Sequence, residues 1–405
     1  MSDPRPISRR RLFQASAAAG LTVGAAGLVA GRALGDEAVG HTTKPALFGG
    51  QPRGVLEPAA RRAAFAAFDV TVTTNDDLQA LLHTITAEVV ELSQGGLVPN
   101  AGPAAPPADN GVLGTVLPDD AATISVGIGA SLFDDRFGLA ARKPARLTPM
   151  TTFPNDALDP AQCHGDLLVQ VTGDSDDVVL HALRQLARAT RGAMQPRWRI
   201  DGFTSPPRPD GAARNLLGFK DGTANPAPAE ASELIWVPAG GPEPAWTAGG
   251  TYEVVRIIRM LVEFWDRVSL KEQENMIGRH RDSGAPQGSM HEDDPIDYST
   301  DPGGRAIRLD AHIRVANPRT AESASSRILR RGYNYDRGID TNGNLDMGLV
   351  FSCFQQDIQR QFEANQKRLI DEPLVDYISP VGGGYFFIPP GLRSPTDTLA
   401  SGLFT

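Results

Sequence analysis

Two stretches of this chain repeat one order of periodicities, and that repeat restricts the fold more than any other feature of the 405 residues. In the first, Phe68, Val70 and Val72 alternate with Asp69 and Thr71, the period-2 pattern of a half-buried strand across 63–74. Asn75 and Asp76 then supply N-cap chemistry. Leu78, Leu81, Leu82, Ile85, Val89 and Leu92 follow at helical spacing, so an amphipathic helix is expected to lie on that strand. A Pro-rich excursion over 101–120 interrupts, and alternation resumes at Ile124, Val126 and Ile128. Residues 167–171 read as a further strand, 178–187 as a helix and 197–200 as a closing strand. The order β-α-β-β-α-β is the ferredoxin-like split unit, an antiparallel sheet with both helices on one face.

The second stretch is expected to repeat that order, with three of its four strands assigned. Residues 252–265 are β-branched and aromatic, hence strand, and Ser269 with Glu272 forms a capping box that opens a short helix to about Ile277. Residues 347–353 read as strand, and Phe354, Ile358, Phe362 and Leu369 mark one face of a helix before a last strand over 384–388. A long insertion follows the first helix of this unit. Two such units side by side enclose a pocket between sheet and insertion. The expected class is therefore α+β, with a linker at 36–58, a first ferredoxin-like domain at 59–205 and a second at 206–405.

Composition narrows the partners. With 41% hydrophobic and 21% charged residues the chain has ample core, which excludes disorder throughout. A formal net charge of −9 argues against nucleic acid, whose phosphates need clustered Lys and Arg. Cys163 and Cys353 are the only cysteines, so at most one disulfide forms, and no Cys/His spacing of the zinc type occurs. Residues 1–35 stand apart. Ser8-Arg9-Arg10-Arg11-Leu12-Phe13 precedes a Gly-diluted apolar run, Ala15 to Ala30, and Ala33-Leu34-Gly35 is similar to a small-residue cleavage site. The segment resembles a twin-arginine export signal and is too short and weakly apolar for a stable membrane span. Export of a folded chain implies a cofactor inserted beforehand and a periplasmic, cell-surface or extracellular destination.

The chemistry-bearing residues cluster in the second half. Between Arg305 and Asp336 the chain offers His312, an imidazole able to ligate iron, and Arg330, a fixed positive charge. Arg331 is the obvious rival to Arg330. Upstream, Gly218 and Gly222 flank Asp221 in a turn that also carries Phe219, presenting a carboxylate from a rigid corner beside apolar neighbours, as proton transfer requires. Arg279 and Arg281 offer guanidinium groups to carboxylates, although a solvated charge cluster is the simpler reading of either. His164, in Cys163-His164-Gly165-Asp166, lacks a second ligand at metal spacing and reads as a loop histidine. The segment Leu132 to Phe137 fits a core edge or a dimer surface equally well.

Gly218-Phe219-Lys220-Asp221-Gly222-Thr223 resembles the GxxDG motif of the dye-decolourising (DyP-type) haem peroxidases. His312-Ile313-Arg314 with Asn317-Pro318 is similar to their proximal-ligand segment, and Arg330 follows at the offset of their distal arginine. The closing Asp376 to Phe387 resembles the exported subgroup that includes deferrochelatase-type iron-uptake proteins. The resemblance implies two ferredoxin-like units forming a DyP-type dimeric α+β barrel, with one haem b per chain. It implies His312 as axial ligand to the haem iron and Asp221 and Arg330 as catalytic residues lining the haem pocket with Phe219. Asp376 is the suggested carboxylate behind His312. The implied reaction reduces hydrogen peroxide and oxidises dyes, phenols or other one-electron donors through an oxoferryl intermediate, with an acid optimum. The alternative is a haem-handling protein that releases iron from haem, with iron-uptake partners. A homo-oligomer is compatible with either.

Overall fold

The computed structural model describes residues 46–405, so the export-signal reading of residues 1–35 lies outside the described residues. Four strands of the first half, β1 (Arg62–Val70), β2 (Ala122–Gly129), β3 (Leu167–Gly173) and β4 (Met194–Phe203), pair in the order β2-β3-β1-β4. Four of the second half, β5 (Thr251–Met260), β6 (Tyr333–Ile339), β7 (Leu345–Gln355) and β8 (Ile378–Ile388), pair as β8-β5-β7-β6. Each set has the ferredoxin-like order, every pair antiparallel. The two sets join edge to edge, Phe203 opposite Asn334 at one seam and Phe386 opposite Gly129 at the other. The sheet thereby closes on itself, leaving no long open edge in those eight strands.

The Ala-rich β1 shows why closure works. Ala63, Phe65 and Ala67 point into the barrel, where they meet Leu168, Trp198, Ile257 and Phe386 from both halves. Ala64, Ala66 and Phe68 point outward, under α1 (Asn75–Gln94) and α2 (Asp176–Ala189). Both faces are buried, so the strand carries a continuous apolar run rather than strict alternation. Thr74 caps α1, its side chain accepting from the Asp77 N–H, and Leu78, Leu81, Leu82 and Ile85 are buried as the spacing predicts. Leu132, Phe133 and Phe137 belong to this core, which decides their role as core edge.

Three local expectations change. The strand expected over 252–265 ends at Met260, and Val262–Trp265 turns helically, the Trp265 indole donating to the Leu217 carbonyl at 2.9 Å. The helix expected from Phe354 begins later: β7 runs to Gln355, then a π turn, Gln359–Glu363, precedes a helical turn, Ala364–Arg368. From residue 46 the segment expected as linker is packed, with Val55 buried beside Leu329, Phe354 and Ile388. Cys163 and Cys353 are both buried and free. Among the described residues no helix is long and apolar enough to cross a membrane.

Candidate active site

The outward face of β5 and β7 is not covered as that of the first half is. Ile258 and Met260 on β5 and Leu349 and Phe351 on β7 form the floor of a cavity roofed by the insertion, with His312 and Ile313 on its wall. His312 opens the short helix α3, counted after α1 and α2 and spanning His312–Ala316, in which Val315 N–H bonds the Ala311 carbonyl at 3.0 Å. Its Nδ1 lies 2.6 Å from Oε2 of Glu372, whose side chain is 2% exposed. Burial works to lower the His312 pKa, but the charge and hydrogen bond of Glu372 outweigh it and raise the imidazole above its ordinary value. With Nδ1 engaged by Glu372, Nε2 is the ring nitrogen left available to ligate a metal.

Asp221 and Arg330 line the same cavity. Arg330 Nη1 lies 2.8 Å from Asp221 Oδ1, and each side chain is about a quarter exposed, at 27% and 28%. Both charges act on His312. The Asp221 turn is fixed from several sides. Asn215 Oδ1 accepts from the N–H groups of Leu217 at 3.1 Å and Phe219 at 3.2 Å, and the Asp221 N–H donates to the Ala213 carbonyl at 2.9 Å. Gly218 and Gly222 sit at φ 87° and 101°, backbone that favours glycine. Behind the turn, Lys220 Nζ is buried 2.7 Å from Glu292, whose other oxygen accepts from Thr223 Oγ1 at 2.7 Å. Those bonds hold the Glu292 carboxyl below its usual range against the opposing effect of burial.

Residues 52–204 match the family described as Dyp-type peroxidase, N-terminal, and residues 212–393 the one described as Dyp-type peroxidase, C-terminal. The chain belongs to the Dyp-type peroxidases. It is 47% identical over 372 residues to the deferrochelatase of Escherichia coli strain K12, a match covering 89% of this chain and 87% of that one. Its fold is similar to that of the DyP-type peroxidase from Cellulomonas bogoriensis, at 33% identity and a TM-score of 0.79, covering 90% of this chain and 98% of the other. It is also similar to DtpA from Streptomyces lividans, solved as an oxyferrous complex, at 32% identity and a TM-score of 0.80, with the same coverage of 90% and 98%.

The donor set in this Dyp-type peroxidase fits a haem. One imidazole is oriented by a buried carboxylate, apolar side chains line the floor, and no group of three or more His, Cys, Asp or Glu that could hold a bare metal ion exists among the described residues. Phe219 lines the cavity, and so does Arg279, whose Nη1 donates to the Gly284 and Glu292 carbonyls at 2.6 and 2.9 Å. Arg281 does not line it; its Nη1 donates to Gln273 Oε1 at 3.0 Å beside a separate surface depression. Arg331 is also excluded, since it is turned into the protein with Nη2 donating to the Leu56 carbonyl at 3.0 Å. Burial lowers the Arg331 pKa.

Asp376 is corrected: it is exposed, and Glu372 occupies the place behind His312. The chain offers Asp371, Glu372 and Asp376 within six positions, and only Glu372 is buried where the helical turn meets the imidazole. No local pattern distinguishes it. His164 is a loop residue at φ 62°, its N–H bonded to the Gly383 carbonyl at 2.7 Å.

Proposed function

We propose that this chain is a haem peroxidase in which His312 holds the iron and Asp221 with Arg330 handles the peroxide. The observation that carries this reading is a single cavity containing an imidazole backed by Glu372 and, with it, a carboxylate–guanidinium pair in direct contact. A haem held by His312 would supply a redox-active iron for two-electron chemistry with peroxide and one-electron chemistry with a donor. Glu372 accepts a hydrogen bond from the Nδ1–H of His312, which fixes the ring and strengthens its electron donation through Nε2. Asp221 takes a proton from one peroxide oxygen and returns it to the other as the O–O bond breaks, while Arg330 stabilises the negative charge growing on the departing oxygen. Arg279, which lines the cavity, would pair with a haem carboxylate.

An absorption spectrum of the purified protein, before and after one equivalent of peroxide, tests the core of this reading. A haem band that shifts with peroxide and returns on adding a dye or phenol is expected; a colourless protein after haem-supplemented expression overturns it. Asp221→Asn and Arg330→Leu are each expected to slow the peroxide reaction by ~10²-fold or more. Parent rates in both variants would make the distal assignment wrong.

The 47% identity to a deferrochelatase favours a second reading, release of iron from haem in iron uptake. Iron-free porphyrin emission accumulating without peroxide would support it; dye oxidation with no free porphyrin would remove it. We also propose export through the twin-arginine pathway, supported by Ser8 to Phe13. Arg9→Lys combined with Arg10→Lys is expected to trap the protein in the cytoplasm.

A further inference from the structure

Asn225 stands four residues after Asp221, in a stretch whose Asn-Pro pair reads in sequence only as a turn. Its own N–H closes that turn on the Gly222 carbonyl at 3.1 Å. Its side chain reaches elsewhere. Oδ1 accepts the backbone N–H of Arg330 at 2.9 Å, and Nδ2 donates to the backbone carbonyl of Arg330 at 3.0 Å. Because one Arg330 group is a donor and the other an acceptor, only this orientation of the amide satisfies both. The amide thus imitates a neighbouring strand.

Arg330 needs such a neighbour. It lies in a two-residue strand, Leu329–Arg330, laid against Cys353 and Phe354 of β7, with the next N–H, that of Arg331, bonded to the Ser352 carbonyl at 2.8 Å. The N–H and C=O of Arg330 face away from β7 and are taken by Asn225. The result is a closed circuit: the turn carrying Asp221 holds the Arg330 backbone through Asn225, and the Arg330 guanidinium returns to Asp221 at 2.8 Å. Asp at 225 would lose the donor and set a carboxylate against a carbonyl oxygen, and Gln is a methylene too long for the same span.

We infer that Asn225 is a positioning residue for peroxide reduction, which fixes the contact between Asp221 and Arg330 by clamping the Arg330 backbone to the Asp221 turn. The inference rests on Asp221 and Arg330 acting together on peroxide. Asn225 touches neither peroxide nor haem in this role. Its loss therefore lowers the rate with peroxide and leaves haem retention and the KM for the reducing dye unchanged.

The test uses the holoenzyme with Asn225→Ala, the near-isosteric Asn225→Asp, Asp221→Asn and the Asp221→Asn/Asn225→Ala double variant. Haem content, Tm, dye KM, the second-order rate with hydrogen peroxide and hydrogen exchange at the Arg330 amide are measured for each. The expected result is a ~10-fold slower peroxide reaction in both Asn225 variants at parent haem content and dye KM. Exchange at the Arg330 amide should be ~10-fold faster in Asn225→Ala, where the acceptor is gone. In the Asp221→Asn background, removing Asn225 should change the rate by less than about 2-fold, because the contact it maintains is already weakened. A parent rate in Asn225→Ala overturns the inference. So does a loss that multiplies in full on the Asp221→Asn background, or one that comes with lost haem and a lowered Tm in both Asn225 variants. If Asp221→Asn itself reacts at the parent rate, the distal reading fails first; if it is slow while Asn225→Ala is not, only the role of Asn225 fails.

Discussion

The two halves of the barrel use one topology and differ in what covers it. In the first half, α1 and α2 lie on the outward face of β1 to β4, and their apolar sides join the sheet in a sealed core. In the second half, the place after β5 is taken by 261–332, most of it irregular backbone, and the outward face of β5 and β7 becomes a cavity floor. A helix on a sheet satisfies its own backbone and offers one apolar stripe, so it excludes everything else. The insertion instead presents an imidazole from a helical turn and a guanidinium from a two-residue strand, and the segment before β5 adds a carboxylate from a glycine-flanked corner. Replacing a helical layer with a loop-rich one turns a structural unit into a reactive one without altering the strand order.

His312→Ala should show the comparison at its largest. Haem absorption and peroxidase activity are expected to fall to background while the far-UV circular dichroism of the barrel is retained; a coloured, active variant would place the site elsewhere. On the sealed side, Phe65→Ala removes a ring that closes the barrel from the first half against Tyr333 of the second. It should cost about 3–5 kcal/mol in denaturant unfolding with activity per folded molecule unchanged. A change in peroxide rate would show that the halves communicate.

Glu253 of β5 is fully buried, with Ser352 Oγ donating to Oε1 at 2.7 Å and Oε2 left without a partner. Burial pushes its pKa up to about 7, with the Ser352 hydrogen bond opposing. A carboxyl raised in the folded state contributes stability that is present below its unfolded pKa and lost as pH rises through about 7. Glu253→Gln should therefore flatten the fall in stability between pH ~4.5 and ~7 and gain on the order of 3 kcal/mol at pH 8. An unchanged pH profile of the unfolding free energy would remove Glu253 from that role.

The smallest effect is expected at Glu372. Glu372→Gln should weaken haem retention or peroxide turnover ~10–100-fold. In the haem-free protein it should also lower the His312 pKa, because burial then acts without the opposing carboxylate, read by NMR titration. Because iron must displace a proton from the raised imidazole, haem affinity in the parent should fall as pH drops through that pKa, and Glu372→Gln should move the fall to lower pH. A Glu372→Gln variant with parent affinity at every pH would make the 2.6 Å contact incidental.

Periodicity and capping were enough for the sequence to determine the first ferredoxin-like order and the Ser269 cap, because these follow from contacts within a few residues; β6 was not read as a strand, and α1 is capped by Thr74 where Asn75 and Asp76 were expected. His312, Asp221 and Arg330 were legible through their resemblance to the DyP-type motifs, each being an ordinary residue in its own short stretch. The tertiary structure alone decided which neighbours serve them. Glu372 rather than Asp376 backs His312 across 60 positions, Arg330 rather than Arg331 faces the cavity, and Asn225 binds the Arg330 backbone across 105. Those choices depend on which of several similar side chains is withdrawn from water and paired, and burial is a property of the packed barrel and its insertion, which no short window of sequence contains.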